Sequence, residues 1–188
     1  MEIKQYIIDT LKKTKREGIE DLIEHMEAIG YFTAPCSGSY HLAKEGGLME
    51  HSFHVLGLAE NLAVKWLGAA EYKKLYPSIV LCALLHDLGK CGDFGKPNYV
   101  VNVLKDGKQS TAKPYTTNPD LLYVDHEIRS VKIAAMFIDL TEEEEHAILY
   151  HNGLYGNLKY AIQGKETPLY MIIHFADMWA SRVTEKEG

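Results

Sequence analysis

The stretch that most constrains this chain is Leu81-Cys82-Ala83-Leu84-Leu85-His86-Asp87-Leu88-Gly89-Lys90. An apolar run at helical spacing delivers an adjacent His and Asp, then stops at Gly89. Neighbours on a helix point about 100° apart, so both can reach one centre only where the helix packs tightly beside it. Two polar groups flanked by leucines also need partners, because burying them unpaired is costly. The plainer alternative is a helix end whose His and Asp cap it and face solvent. The other histidines of the chain weigh against that.

With 188 residues, 46% of them hydrophobic and 24% charged, the chain suits one ordinary globular domain, 1–188, with a sizeable core. The net charge of −6 argues against broad nonspecific binding to a nucleic-acid backbone. It leaves room for a small phosphorylated substrate, because a bound divalent cation inverts the local field. Cys36, Cys82 and Cys91 form no Cys-x-x-Cys pair, and no apolar run approaches the roughly 20 residues needed to span a bilayer. A soluble, reducing, cytoplasmic setting with no membrane partner is the simplest expectation. Cys91 is either an oxidation-sensitive neighbour of a site or plain filler.

Residues 2–13 and 17–29 read as two amphipathic helices, an N-terminal buttress (1–30) separated by a basic turn at 12–16. That turn is a solvated helix end or a phosphate contact. Residues 32–42 are irregular yet rich in large side chains, which either pack or line a substrate mouth. A helix is predicted over 48–67, with His51 and His54 three apart and so near one face. A break over 68–77 follows, then a helix over 79–88 with Pro77 at its first turn. The region 93–120 changes character: 99–104 favours strand, Asp106-Gly107 signals a turn, 109–115 can run back, and 115–120 reads as loop. This small β-hairpin is expected to lie against the end of the central helix. Helices are predicted over 124–138, 141–151 and 168–184, with Thr141 as an N-cap and Glu142 to Glu145 serving helix electrostatics. The fold class is therefore all-α, a helical bundle with a small β-hairpin insertion.

A divalent-metal site needs several N and O ligands converging from separate elements. The candidates are His51, His86, Asp87, His126, His151 and Asp177, each on or at the end of a predicted helix. Singly, each also reads as an ordinary helix residue, cap or surface acid. Asp177 is the more persuasive acid, because it follows Ile172-Ile173-His174-Phe175-Ala176, a run that looks inward and would leave a lone carboxylate expensive. His25 and His174 suit ordinary helical positions, and His54 and His146 read as structural or exposed.

This pattern resembles the HD-domain superfamily of metal-dependent phosphohydrolases. His51 matches its first histidine, His86-Asp87 its doublet and Asp177 its final aspartate, over a core of 46–184. His126 and His151 are similar to the additional ligands of the two-metal branch. Gly46-Gly47-Leu48-Met49-Glu50-His51-Ser52, with Phe32-Thr33-Ala34-Pro35 upstream, looks like the HD region of YhaM-type 3′-5′ exoribonucleases. It also looks like small phage and prophage HD proteins, which share the hairpin insert, the His126-Glu127-Ile128-Arg129-Ser130 pattern and a late Ala-Asp. No nucleic-acid-binding β-barrel precedes the HD region, and the charge is acidic, which reduces the case for processive RNA degradation. The Gly-Tyr-Pro element of the cyclic-di-GMP phosphodiesterase branch is absent, and Asn152 follows His151 where that branch often carries a second histidine.

The resemblance implies one ion on His51, His86, Asp87 and Asp177. A second would share Asp87 and add His126 and His151. One ion with an inert second position is the variant. Mn²⁺ or Fe²⁺ suits mixed imidazole and carboxylate ligands, with Mg²⁺ or Ni²⁺ compatible. The implied activity is hydrolysis of a phosphoester in a nucleotide or short oligonucleotide by metal-activated hydroxide. The rival is a non-catalytic metal- and nucleotide-binding sensor or interaction protein. Lys90, one turn past His86, is either a phosphoryl contact or a solvent-facing lysine at a helix end. Arg129 offers a phosphate fork or a salt bridge, with Glu50 and Glu127 as neighbouring candidates. Tyr40, His41, Lys96 and Tyr115 are placed to reach the substrate mouth.

Overall fold

The computed structural model describes residues 2–186, whose regular structure is seven α-helices and two short antiparallel strand pairs. The predicted all-α bundle with a hairpin insertion holds. Helices α1 (Ile3–Lys13) and α2 (Ile19–Ala28) bury Ile7, Leu11, Leu22 and Met26. The basic turn between them has a use the sequence did not suggest: Arg16 binds Glu144 of α6 (Glu142–Tyr150), Nη1 to Oε2 at 2.9 Å. Glu144 also completes the capping box on Thr141 and accepts from Ser78 Oγ at 2.7 Å.

Helix α3 (Gly47–Leu67) begins against the 31–46 loop, and Gly47 is required there. A Cβ on Gly47 would lie 2.0 Å from the Leu42 carbonyl oxygen, so only glycine lets the loop fold back this closely. The loop is pinned by Gly46 N–H to Thr33 O and Leu48 N–H to Ala34 O, at 2.9 and 3.0 Å.

Helix α4 runs Ala69–Leu85, which corrects the expected break. Gly68 alone separates α3 from α4, and Pro77 lies inside α4. The preceding turns hold because Leu75 and Tyr76 pack on the core and Tyr72 donates to Glu60 at 3.0 Å. Those contacts outweigh the hydrogen bond that proline forgoes. From Ile79 to Leu85 every residue is buried, as befits a helix surrounded by others. It packs along α3, α6 and α7 (Pro168–Trp179).

The helix ends earlier than expected. His86 keeps helical angles (φ −55°, ψ −36°), but Asp87 departs (φ −103°, ψ 9°) and a 3₁₀ turn, Leu88–Cys91, follows. With the helix given up at Asp87, the two side chains meet, His86 Nε2 lying 3.4 Å from Asp87 Oδ2.

The insert holds two strand pairs: β1 (Gly92–Asp93) with β2 (Lys96–Pro97), and β3 (Tyr99–Val101) with β4 (Tyr115–Thr117). The return strand is thus Tyr115–Thr117, expected as loop, while 109–114 forms no strand and contributes the Val103–Gln109 bridge. Asn102 spans the irregularity, donating from N–H to Pro114 O and accepting from Ser110 N–H, so 110–114 bulges out. Asn98 N–H to Cys91 O and Tyr115 N–H to Gly38 O hold the insert beside the doublet turn and the 31–46 loop. Helix α5 (His126–Ala135) then packs on the 3₁₀ turn. No helix among the described residues is long and apolar enough to cross a membrane.

Candidate metal centre

Five elements converge on the doublet. His51 comes from the second turn of α3, His86 and Asp87 from the end of α4, and His126 from the start of α5. His151 ends α6 and Asp177 lies in α7. Gly89 sets the distance to α5: a Cβ there would meet His126 O at 2.1 Å and Arg129 Cβ at 2.6 Å. Its N–H donates to Ser130 Oγ at 2.8 Å. All six candidates from the sequence are brought together.

Asp87 stands at the centre, its two oxygens facing opposite ways. Oδ2 lies 3.5 Å from His51 Nε2 and 3.4 Å from His86 Nε2. Oδ1 lies 3.1 Å from His126 Nε2 and 3.5 Å from His151 Nε2. Asp177 Oδ1 closes the first side at 3.1 Å from His51 Nε2.

The hydrogen bonds decide what this cluster is built for. His86 Nδ1 donates to Ala83 O at 3.0 Å and His151 Nδ1 to Ile148 O at 2.8 Å. His51 Nδ1 faces both oxygens of Glu185 at 3.0 Å, and His126 Nδ1 faces Glu127 Oε2 at 3.3 Å. With Nδ1 carrying the hydrogen, each neutral ring turns a lone pair at Nε2 toward the middle. His51 Nε2 and His86 Nε2 are then 3.3 Å apart, lone pair to lone pair, and Asp87 Oδ1 is buried without a hydrogen bond. Positive charge placed among these atoms relieves that arrangement. The ligand atoms of His51, His86 and Asp177, and those of His86, Asp87 and His151, fall into groups that could hold a metal ion. The donor set of imidazoles and carboxylates fits a divalent transition metal.

The electrostatics agree. Burial would raise the Asp87 carboxyl, but Lys90, His86, His126 and His151 together hold it well below the usual range. Burial likewise opposes ionisation of Asp177, and His51 outweighs it. Burial pushes His86 down. A proton competes for the same place on His51, whose pKa is pushed well up despite burial by Cys36 and by the hydrogen bonds to Asp177 and Glu185. The cluster holds carboxylates ionised and demands cations in return.

A cavity of about 660 Å³ opens over the centre. Of the proposed substrate residues, Tyr40, His41 and Lys90 line it. Lys90 is not solvent-facing, because its ammonium sits 2.6 Å from Asp87 Oδ2. Arg129 and Lys96 are not brought to the cavity. The buried Arg129 guanidinium donates to Leu122 O and faces Asp93 at 4.0 Å, while Lys96 donates to Asp120 O at 2.7 Å on the surface. Tyr115 belongs to β4, and Glu50 pairs with Lys44 at 2.8 Å. Glu127 lies beside His126, where its Oε1 accepts from Asn152 Nδ2 at 2.7 Å. Cys36, rather than Cys91, is the cysteine that lines the cavity.

Two residues beside the cluster, Glu185 and Asn152, were not among the site candidates. Glu185 is buried and gathers His41, His51 and His54. Asn152, adjacent to His151, places its amide 3.1 Å from His151 Nε2 and 3.3 Å from His126 Nε2. For His54, its spacing from His51 was the available signal. For Glu185, eight residues beyond Asp177 in a charged run, there was none.

No curated protein and no solved structure matches the chain. The family model for the HD domain matches residues 48–178, well over half of the chain, from the start of α3 to the turn bearing Asp177. It thus spans the doublet and every element that delivers a candidate ligand. The chain belongs to the HD domain family, whose members are generally metal-dependent hydrolases.

Proposed function

We propose that this protein is a phosphohydrolase that uses two divalent ions to cleave a phosphoester in a nucleotide or short oligonucleotide. The observation that carries the reading is the Asp87 carboxylate, with two imidazole Nε2 atoms on each of its oxygens. A carboxylate so placed suits sharing between two ions: His51, His86 and Asp177 would hold one, and His126 and His151 the other. Ions bound there would acidify a coordinated water and neutralise charge on the phosphoryl oxygens, with Mn²⁺ or Fe²⁺ suiting the ligands best.

The chain's own groups supply binding and orientation. Lys90, in the cavity wall, would hold a phosphoryl oxygen if a bound ion took its place at Asp87. Arg182 and Lys186 add positive charge to the same wall, and Tyr40 and Tyr99 offer faces for a base. The cavity volume suits a nucleotide or short oligomer, and the net charge of −6 disfavours a long nucleic acid. The likeness of 32–35 and 46–52 to YhaM-type exoribonucleases adds the 3′ end of a short RNA to the substrate classes.

The test is turnover across nucleoside mono-, di- and triphosphates, cyclic dinucleotides and short RNA and DNA oligomers. Protein reconstituted separately with Mn²⁺, Fe²⁺, Ni²⁺ and Mg²⁺ is compared with Asp87→Ala. Metal-dependent hydrolysis lost in Asp87→Ala supports the reading. Tight nucleotide binding without turnover by metal-loaded protein replaces it with a sensor.

A further inference from the structure

An imidazole that presents Nε2 to an ion must place its Nδ1 hydrogen on an acceptor. His86 and His151 do so within their own helices, on the carbonyls three residues earlier. His126 Nδ1 only approaches its neighbour Glu127, at 3.3 Å from an oxygen that has no hydrogen-bond partner. His51 differs, because its acceptor is Glu185, 134 residues along the chain, with both carboxylate oxygens 3.0 Å from Nδ1.

The same carboxylate accepts from His54 Nδ1 at 2.9 Å and from His41 Nδ1, and its side chain is fully buried. His51 and His54 lie one turn apart on α3, whereas His41 lies on the 31–46 loop. Glu185 thus joins three parts of the molecule: the ligand-bearing helix, the loop at the cavity wall and the C-terminal turn.

The C-terminal turn reaches this position by changing its winding. After α7 the chain forms a π turn, Ala180–Thr184, closed by Glu185 N–H to Ala180 O at 2.9 Å. In an uninterrupted α-helix, residues 177 and 185 would stand about 12 Å apart along the axis and about 80° around it. The π turn and the non-helical Glu185 (φ −99°, ψ 8°) let one strand of chain hold both nitrogens of one ring. Asp177 faces His51 Nε2 and Glu185 faces Nδ1.

We propose that Glu185 is a positioning residue for the metal centre. By fixing the His51 tautomer and ring, it ties affinity for the ion at His51, His86 and Asp177 to docking of residues 180–186 and of the loop bearing His41. The proposal rests on the reading of this cluster as a metal centre. Coupling of this kind is reciprocal, so an ion bound at that side must in turn steady the turn and the loop.

The test is calorimetric titration of wild type, Glu185→Gln and Glu185→Asp with Mn²⁺, beside hydrogen exchange of wild type with and without Mn²⁺. In Glu185→Gln one binding event weakens about 10- to 100-fold, as for loss of a partner hydrogen-bonded to a ligand. The event belonging to His126 and His151 keeps its wild-type affinity, and Glu185→Asp, which keeps the charge, recovers part of the loss. In wild type, Mn²⁺ raises protection across 177–186 and 36–42. Unchanged affinity in Glu185→Gln, or equal weakening of both events, overturns the positioning role and leaves the metal centre standing. Wild type that binds no Mn²⁺ overturns both. Should the variants fail to fold, exchange in wild type decides alone: absence of metal-dependent protection at 177–186 refutes the coupling.

Discussion

The ammonium of Lys90 lies 2.6 Å from Asp87 Oδ2, on the carboxylate oxygen that also faces His51 and His86. One side chain therefore supplies the positive charge that this oxygen requires, from a position in the cavity wall. Burial opposes charge on Lys90, yet Asp87 holds its pKa well above the ordinary lysine value. On the proposed reading, a divalent ion held by Asp87 would compete with Lys90 and free its ammonium to bind a phosphoryl oxygen. Lys90→Met is expected to lower kcat/KM about 100-fold, while Mn²⁺ affinity holds or rises because a competing cation is gone. Steady-state kinetics and a Mn²⁺ titration on the same variant separate the two effects.

Gly89 controls how closely α5 approaches the doublet. An added methyl would meet His126 O at 2.1 Å, and that atom belongs to backbone that cannot rotate away. Gly89→Ala is expected to cost about 3 kcal/mol or more and to displace His126 from Asp87. Thermal denaturation reads the first effect, and a reduced number of Mn²⁺ ions bound reads the second.

The Arg16–Glu144 pair gives the fold an acid limit independent of the metal centre. Burial would raise the Glu144 carboxyl, but the hydrogen bonds from Arg16, the Thr141 N–H and Ser78 bring it below its ordinary value. A lowered carboxylate contributes stability that is complete above the unfolded pKa, about 4.3 for glutamate. The contribution is lost as pH falls through the lower folded value. Glu144→Gln is expected to cost about 2–3 kcal/mol at neutral pH and to flatten the fall in stability below pH 4.3. Urea denaturation across that range checks both.

His51, His126 and His151 stood out through the likeness to the HD pattern, while His86, Asp87 and Asp177 were legible because each interrupts or ends an apolar run. Such placement is expensive without a partner, and the expense is readable from composition alone. What the sequence concealed depends on tertiary contact. Pro77 reads as a helix start, yet packing of Leu75 and Tyr76 carries α4 through it. The hairpin register was hidden because Asn102 accommodates a bulge that no alternation pattern records. Arg129 reads as well as any phosphate fork, and only the fold shows it turned away from the cavity, donating to Leu122 O and facing Asp93 at 4.0 Å. Glu185 sits among Thr184, Lys186 and Glu187, the composition of a solvated end. Its use depends on a partner 134 residues away, to which no local periodicity points.

The central claim is that Asp87 is shared between two ions, and anomalous scattering from crystals grown with Mn²⁺ tests it most directly. The expected map has two peaks flanking the Asp87 carboxylate, one in contact with His51, His86 and Asp177, the other with His126 and His151. Both peaks vanish or weaken together in Asp87→Asn crystals. A single peak on one side contradicts the shared role of Asp87, and no peak within reach of its oxygens contradicts the metal centre itself.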